Sequence, residues 1–397
     1  MATVLLKPEE PVPARPRGGW ALWALGFRPF YLLAALWAVL SIPLWAAQMS
    51  GHLGSWTRGM PWHAHEMVFG YTLAIVVGFL FTAGRNWSGQ PTPTGRHLQA
   101  LAALWLLARG LGFTPWLLAA GLANAAFAWA SAWALWRALR AGQNRRNDFF
   151  PLLLVGLGLA SLGLHLQALG WLAWPEGLGL PIALDVVLFM IAVMAGRVVP
   201  MFSNNGVPGM QARRDERLEK AALGGVLALM AADALGLHGL PLAVLLLALA
   251  AAHTARWALW QPWRTLRHPL VWVLHAAYLW LPLHLLLRAG ATLDAWPLGP
   301  ATHALTLGTI GGMTIGMITR TALGHTGRPL QAGPFETTAF VAMQAAALVR
   351  VAVPLLWPAG LLMAVHLSAT LWVLAFVAYL ARYVGILSRP RLDGKPG

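Results

Sequence analysis

The sequence predicts an all-α integral membrane protein, a bundle of about twelve transmembrane helices with both termini cytoplasmic, and three observations carry that expectation. The first is composition. Hydrophobic residues make up 58% of the 397 and charged residues only 10%, with a mean hydropathy of +0.62. A soluble domain is about 25% charged, so this chain lacks the polar surface to cover itself in water. The second is segmentation: apolar stretches long enough to cross about 30 Å of hydrocarbon alternate with short loops rich in Arg, Pro and Gly. The third is charge placement. Of the 28 basic residues, 24 fall at alternate ends of the apolar stretches, as the positive-inside rule demands of an even number of spans.

In order, the spans cover residues 27–49, 61–84, 97–112, 115–137, 149–171, 181–201, 218–237, 239–258, 269–288, 299–320, 336–357 and 359–387. The third is short, and the seventh and eighth are joined only by the minimal connection 236–241. The chain thus divides into a cytoplasmic tail (1–26), a polytopic membrane domain (27–387) and a second cytoplasmic tail (388–397). Lys7, Arg15, Arg17 and Arg28 open the inner side. Basic residues then return after every even-numbered span, among them Arg85, Arg145, Arg213, Arg264 and Arg328, and end with Arg389, Arg391 and Lys395. No apolar run of the secretory-leader type precedes Gly26, so no cleavage is expected. The net charge of +15 then reads as a topology signal and a complement to anionic headgroups, with the bilayer and not nucleic acid as the partner.

There are no cysteines. Disulfides, thiolate-held iron–sulfur clusters, zinc-thiolate sites, blue copper and thioether-linked haem c are therefore excluded. Any metal must be held by His, Met, Tyr or carboxylate, and any haem must be of the non-covalent b type.

Ionisable side chains are costly in hydrocarbon and usually mark a functional site, which directs attention to Trp62-His63-Ala64-His65-Glu66-Met67 at the outer mouth of span two. On a regular helix His63 and His65 are about 200° apart and cannot easily grip one ion, whereas His63 and Glu66 share a face. One reading has a histidine coordinating haem iron or copper while Glu66 orients a ring nitrogen or carries a proton; the plainer one makes them headgroup-level anchors. His303 opens span ten from the same side, followed by glycines 308, 312 and 316 on one stripe. Such a stripe lets another helix approach closely, and a flat macrocycle could use the same groove. His165, His284 and His366 reach this outer layer as lone histidines, more often satisfied by neighbours than by a metal. His275 lies deeper in span nine, with Tyr278 one turn on. At the inner end, Arg197 and Arg328 are candidates for haem propionates or, more simply, for loop packing. Asp185 is a further intramembrane carboxylate.

Gly26-Phe27-Arg28-Pro29-Phe30, the Trp-His-Ala-His-Glu-Met run, Asn86-Trp87-Ser88-Gly89, Arg197 with Pro200-Met201-Phe202, His303-Ala304-Leu305-Thr306 and Gly324-His325-Thr326-Gly327-Arg328-Pro329-Leu330 together resemble the NnrS family. The resemblance runs in order along nearly the whole membrane portion. It implies a polytopic protein of the bacterial inner membrane that contains haem and copper and belongs to the nitric oxide response of denitrification. Its histidine motifs map onto His63, His65, His275, His303 and His325 as metal ligands; Ser88 departs from the Thr expected there. Haem–copper oxidases offer a wider analogy, because they too draw haem ligands from spans two and ten. Spans six and seven here contain no histidine to match their copper site, so that analogy stops at the fold.

The expectation is a haem b protein, with copper a further cofactor, that acts on nitric oxide or a related small molecule at a periplasm-side centre with an unidentified electron donor. His63, His65, His303, His275 and Arg197 hold the cofactors, and Glu66 and Tyr278 carry protons. Two alternatives stand beside it. One is a proton-coupled transporter built on Glu66, Asp185 and Arg197, the other a haem-dependent sensor or scaffold without turnover.

Overall fold

The computed structural model describes residues 19–53, 60–173 and 178–394, and no strand occurs among them. Lys7, Arg15, Arg17, Lys395 and most of the N-terminal tail lie outside the described residues. Twelve helical rods follow one another: α1 Phe27–Met49, α2 Met60–Ser88, α3 Gly95–Leu111, α4 Leu117–Ala141, α5 Phe149–Ala168, α6 Gly179–Gly206, α7 Glu216–Ala234, α8 Gly239–Leu259, α9 Pro269–Ala291, α10 residues 298–325, α11 Pro334–Leu356 and α12 Leu361–Ser388.

Nine of these, among the described residues, are long and apolar enough to cross a membrane, which makes this a multi-pass helical membrane protein. The other three are α3, α7 and α10, and each departs for a visible reason. α3 has only 17 residues. α7 opens with Glu216, Arg217, Glu219 and Lys220, and α10 is diluted by glycine and threonine. Sequence reading marked the third and seventh as weak and gave no such warning for the tenth.

Consecutive rods pack side by side, α12 returns to α1 to close the bundle, and α2 touches α10. Arg28, fully enclosed, donates to the carbonyls of Leu387 (2.9 Å) and Arg389 (2.8 Å), the orphan acceptors at the end of α12. Ala21 N–H bonds Ser388 O at 2.8 Å, so the described starts and ends of the chain meet at one end of the bundle. The Gly-His-Thr-Gly-Arg-Pro-Leu loop is tied to the same end: Arg391 donates to His325 O at 3.0 Å and Leu392 N–H to Thr326 O at 3.1 Å.

Two rods are irregular at corresponding places. α2 widens into a π-helix over Glu66–Thr72, directly after His65, and α10 does so over Ala304–Gly311, directly after His303. In each a threonine hydroxyl reaches the carbonyl five residues back, Thr72 to Met67 (2.7 Å) and Thr309 to Ala304 (3.4 Å), which suits the wider turn. Such segments recur at functional sites. The two rods meet where Tyr71 Oη and Thr314 Oγ1 share a 2.5 Å hydrogen bond.

The glycine stripe of α10 serves helix packing. A Cβ on Gly312 would stand 2.7 Å from Ala277 Cβ and one on Gly316 2.8 Å from Leu274 Cδ2, while Gly308 lies under the Trp280 indole. α9 fills the groove, so the macrocycle reading of that stripe does not hold.

Candidate functional site

α2 presents two faces with different chemistry. One, carrying His63, Met67 and Tyr71, lines an outer cavity of 520 Å³, together with His303 of α10 and Arg350 of α11. The His63 ring stacks on Trp45 of α1, centroids 4.1 Å apart and planes 19° apart, and makes no hydrogen bond. His303 donates from Nδ1 to Gly299 O at 2.8 Å, which leaves Nε2 as a lone-pair donor. Arg350 is 8% exposed, yet among the described residues it has no hydrogen bond and no carboxylate partner. Arg350 is the cationic neighbour of His63, and His303 lies beside it. The cavity thus gathers two imidazoles with free nitrogens and an uncompensated guanidinium, between aromatic walls that include Trp45 and Trp372.

The opposite face of α2 is closed. Glu66, 1% exposed, forms an ion pair with Arg109 of α3, and Arg109 also donates to Asn124 of α4. His65 donates from Nδ1 to Glu66 Oε1 at 3.0 Å and bonds Ser161 Oγ of α5 through Nε2, also at 3.0 Å. Gly70 makes room for the pair: a Cβ there would stand 2.7 Å from Arg109 Nη1 and 2.8 Å from Glu66 Oε2.

His63 and His65 therefore diverge, as their angular separation requires. Glu66 goes with His65 and not, as expected, with His63. The π turn begins at Glu66 and reduces the angular step between neighbouring residues, and the attraction of Arg109 lies on the His65 side.

Part of the outer histidine layer read from the sequence consists of neighbours, His65 with His165 and His63 with His303, while His366 and His284 bond other residues. The His65 and His165 rings meet edge-on at 4.8 Å, His366 Nε2 bonds Ser50 Oγ at 2.6 Å, and His284 Nδ1 donates to Ala301 O at 2.7 Å. Deeper, His275 bonds Ser203 Oγ at 2.8 Å. Tyr278, one turn away, belongs to another network: its hydroxyl bonds His253 Nδ1 at 2.6 Å and accepts from Arg256 at 3.0 Å, and Arg256 is held by both oxygens of Glu219 at 2.7 Å. His253 is wholly buried.

Arg197 donates to Asn147 Oδ1 at 2.7 Å and lies over the rings of Phe149 and Phe150, an inner-end packing role. His325 borders a separate inner cavity of 810 Å³. Among the described residues no three of His, Cys, Asp and Glu converge. Of the five histidines singled out, His63 and His303 share the outer cavity, and His325 borders the inner one. Glu66, Asp185 and Arg197 sit in three unconnected networks, Asp185 beside the Asp233–Arg288 pair.

Arg350 is the residue that sequence reading missed. The signal was available: it is one of the four basic residues, with Arg58, Arg109 and Arg288, that break the alternation of charge. Arg109 and Arg288 have carboxylate partners and Arg350 has none.

No curated protein matches the chain. A family model described as NnrS protein matches residues 21–391, a stretch that includes both π-helical rods, all of the outer cavity and the loop tie from Arg391 to His325. The chain belongs to the NnrS family.

Proposed function

We propose that the outer cavity holds a b-type haem, with His63 and His303 as ligands and Arg350 as the partner of a propionate, and that the protein acts there in nitric oxide metabolism or defence. The observation that supports this most is Arg350. A guanidinium held inside a membrane bundle without an acceptor is costly unless a ligand brings one. It stands beside two imidazole rings that have nitrogens free for a metal. The basic end of the bundle is then cytoplasmic, the cavity faces the periplasm, and the membrane is the bacterial inner membrane.

The residues fit such a group in kind. Gly299 O fixes the His303 tautomer so that Nε2 points away from its own helix turn, and Trp45 holds the His63 ring by stacking. Met67, Trp372 and the neighbouring apolar walls exclude water and suit a planar macrocycle. A haem bound there would supply a redox-active iron held by His63 and His303. Arg350 offsets negative charge at the cavity wall. Glu66 and Arg109 act at one remove: they clamp α2 from behind and so fix the direction of His63. Copper has a poorer fit, since no three-ligand set converges, and its donors would be the same two imidazoles with thioethers such as Met60 and Met67.

The test is spectroscopic. Protein purified from haem-replete cells is expected to carry acid-extractable haem b. His63→Ala and His303→Ala should each empty the site or convert it to a high-spin spectrum, Arg350→Gln should weaken haem retention about tenfold, and His97→Ala should do nothing. A colourless preparation, or equal and negligible effects of all four substitutions, would overturn the assignment.

A further inference from the structure

The inner cavity, like the outer one, gathers basic side chains and histidines. It lies among the inner ends of α6, α9 and α10 and the loop after α10, and four of its lining residues are Arg320, Arg267, His268 and His325. Arg320 is 7% exposed. Its guanidinium lies over the Phe202 ring at 4.0 Å and, among the described residues, makes no hydrogen bond or ion pair. The His325 ring touches Phe27 and has no hydrogen-bond partner.

No acidic residue lines the cavity, and the carboxylates of this end are engaged elsewhere: Glu219 by Arg256, Glu336 by Tyr383 and Gly333, Asp148 by Arg140, Asp393 by Arg391. Among the described residues the cationic groups are therefore not compensated. At 810 Å³ the space exceeds what a bare anion needs, and Leu270, Val271 and Leu330 give it an apolar wall. Two arginines supply more positive charge than one carboxylate requires, the two histidines add ring N–H donors, and guanidinium groups match phosphate oxygens well. Basic pockets between helices at this depth suit phosphate headgroups.

We infer that the inner cavity binds a phosphate-bearing anion through Arg320, with Arg267 and the two histidines as auxiliary donors. The phosphate comes either from a lipid headgroup of the inner leaflet or from a soluble molecule.

The experiment uses the purified full-length protein, stripped of lipid in a neutral detergent and followed by native mass spectrometry and thermal unfolding. Phosphatidylglycerol, phosphatidylcholine and inorganic phosphate are titrated separately. Saturable binding of phosphatidylglycerol but not inorganic phosphate assigns a lipid; saturable binding of inorganic phosphate assigns a soluble anion. In either case Arg320→Gln should weaken binding about tenfold or more, Arg320→Lys should recover part of it, and Arg267→Gln, on an exposed side chain, should weaken it a few-fold. Binding of neither probe, equal binding of the two lipids, or affinity unchanged in Arg320→Gln overturns the inference. If Arg320→Gln does not fold, Arg267→Gln decides, and an unchanged affinity in that variant overturns it equally.

Discussion

Glu66 and Arg109 enclose each other where neither can be hydrated, with side-chain exposures of 2% and 4%. The value of such a pair lies less in its attraction than in the penalty for breaking it. Glu66→Gln leaves Arg109 buried and uncompensated and should cost about 3–5 kcal/mol in thermal unfolding, while Glu66→Gln with Arg109→Met should recover most of that loss. Additive losses in the double variant would show that the two residues act separately. Gly70 gives an independent check on the same cluster. Its missing side chain is the space the pair occupies, so Gly70→Ala should destabilise by about 1–3 kcal/mol, the usual cost of overpacking. A neutral outcome would mean that the pair sits farther from α2 than described.

At the scale of elements, the two π-helical segments and the glycine stripe place His63 and His303 on one cavity. Each π segment follows its histidine directly, and changes the phase between that histidine and the rest of its rod. The stripe of α10 sets how close α9 comes, and with it where the His303 end of α10 rests. Gly312→Val should therefore do two things: lower stability by about 1–3 kcal/mol and reduce the haem-to-protein ratio, although residue 312 lies outside the cavity lining. Gly224→Ala, in α7 and outside the cavity lining, where an added Cβ meets nothing within 4 Å, is the control and should lower neither. Lost stability with full haem content would separate packing from the site.

For the molecule as a whole, the described ends of the chain come together through Arg28, Ala21 and the last turn of α12, and 24 of 28 basic residues were assigned to that same end. With no cysteine in the chain, topology can be tested on single-cysteine variants without background. Ala295→Cys, in the loop before α10, should react with a membrane-impermeant maleimide in intact spheroplasts, and Arg145→Cys, in the loop before α5, only after lysis. The reverse pattern would invert the protein and turn the outer cavity toward the cytoplasm. Equal labelling of both would show that the rods between them do not all cross.

Hydrophobic runs and alternating charge are properties of single segments in a uniform solvent, so the bilayer decides them one helix at a time; the all-helical class, the order of the rods and the divergence of His63 from His65 were legible for that reason. The site was legible only in its first member on each rod. That His63 meets His303 and not His65 depends on which helices are neighbours, which no span reports about itself. Glu66 left the face a regular helix assigned to it because a π turn and a distant arginine both act there. Tyr278 went to Arg256 and His253 because a buried guanidinium takes every acceptor within reach. Arg350 was visible as an exception to the charge rule, and only the packing of α11 against α10 showed that its exception has no carboxylate to explain it. Composition and period determined what each rod is, while side-chain partners between rods, set by close packing and by the cost of leaving a buried charge alone, were decided by the tertiary structure.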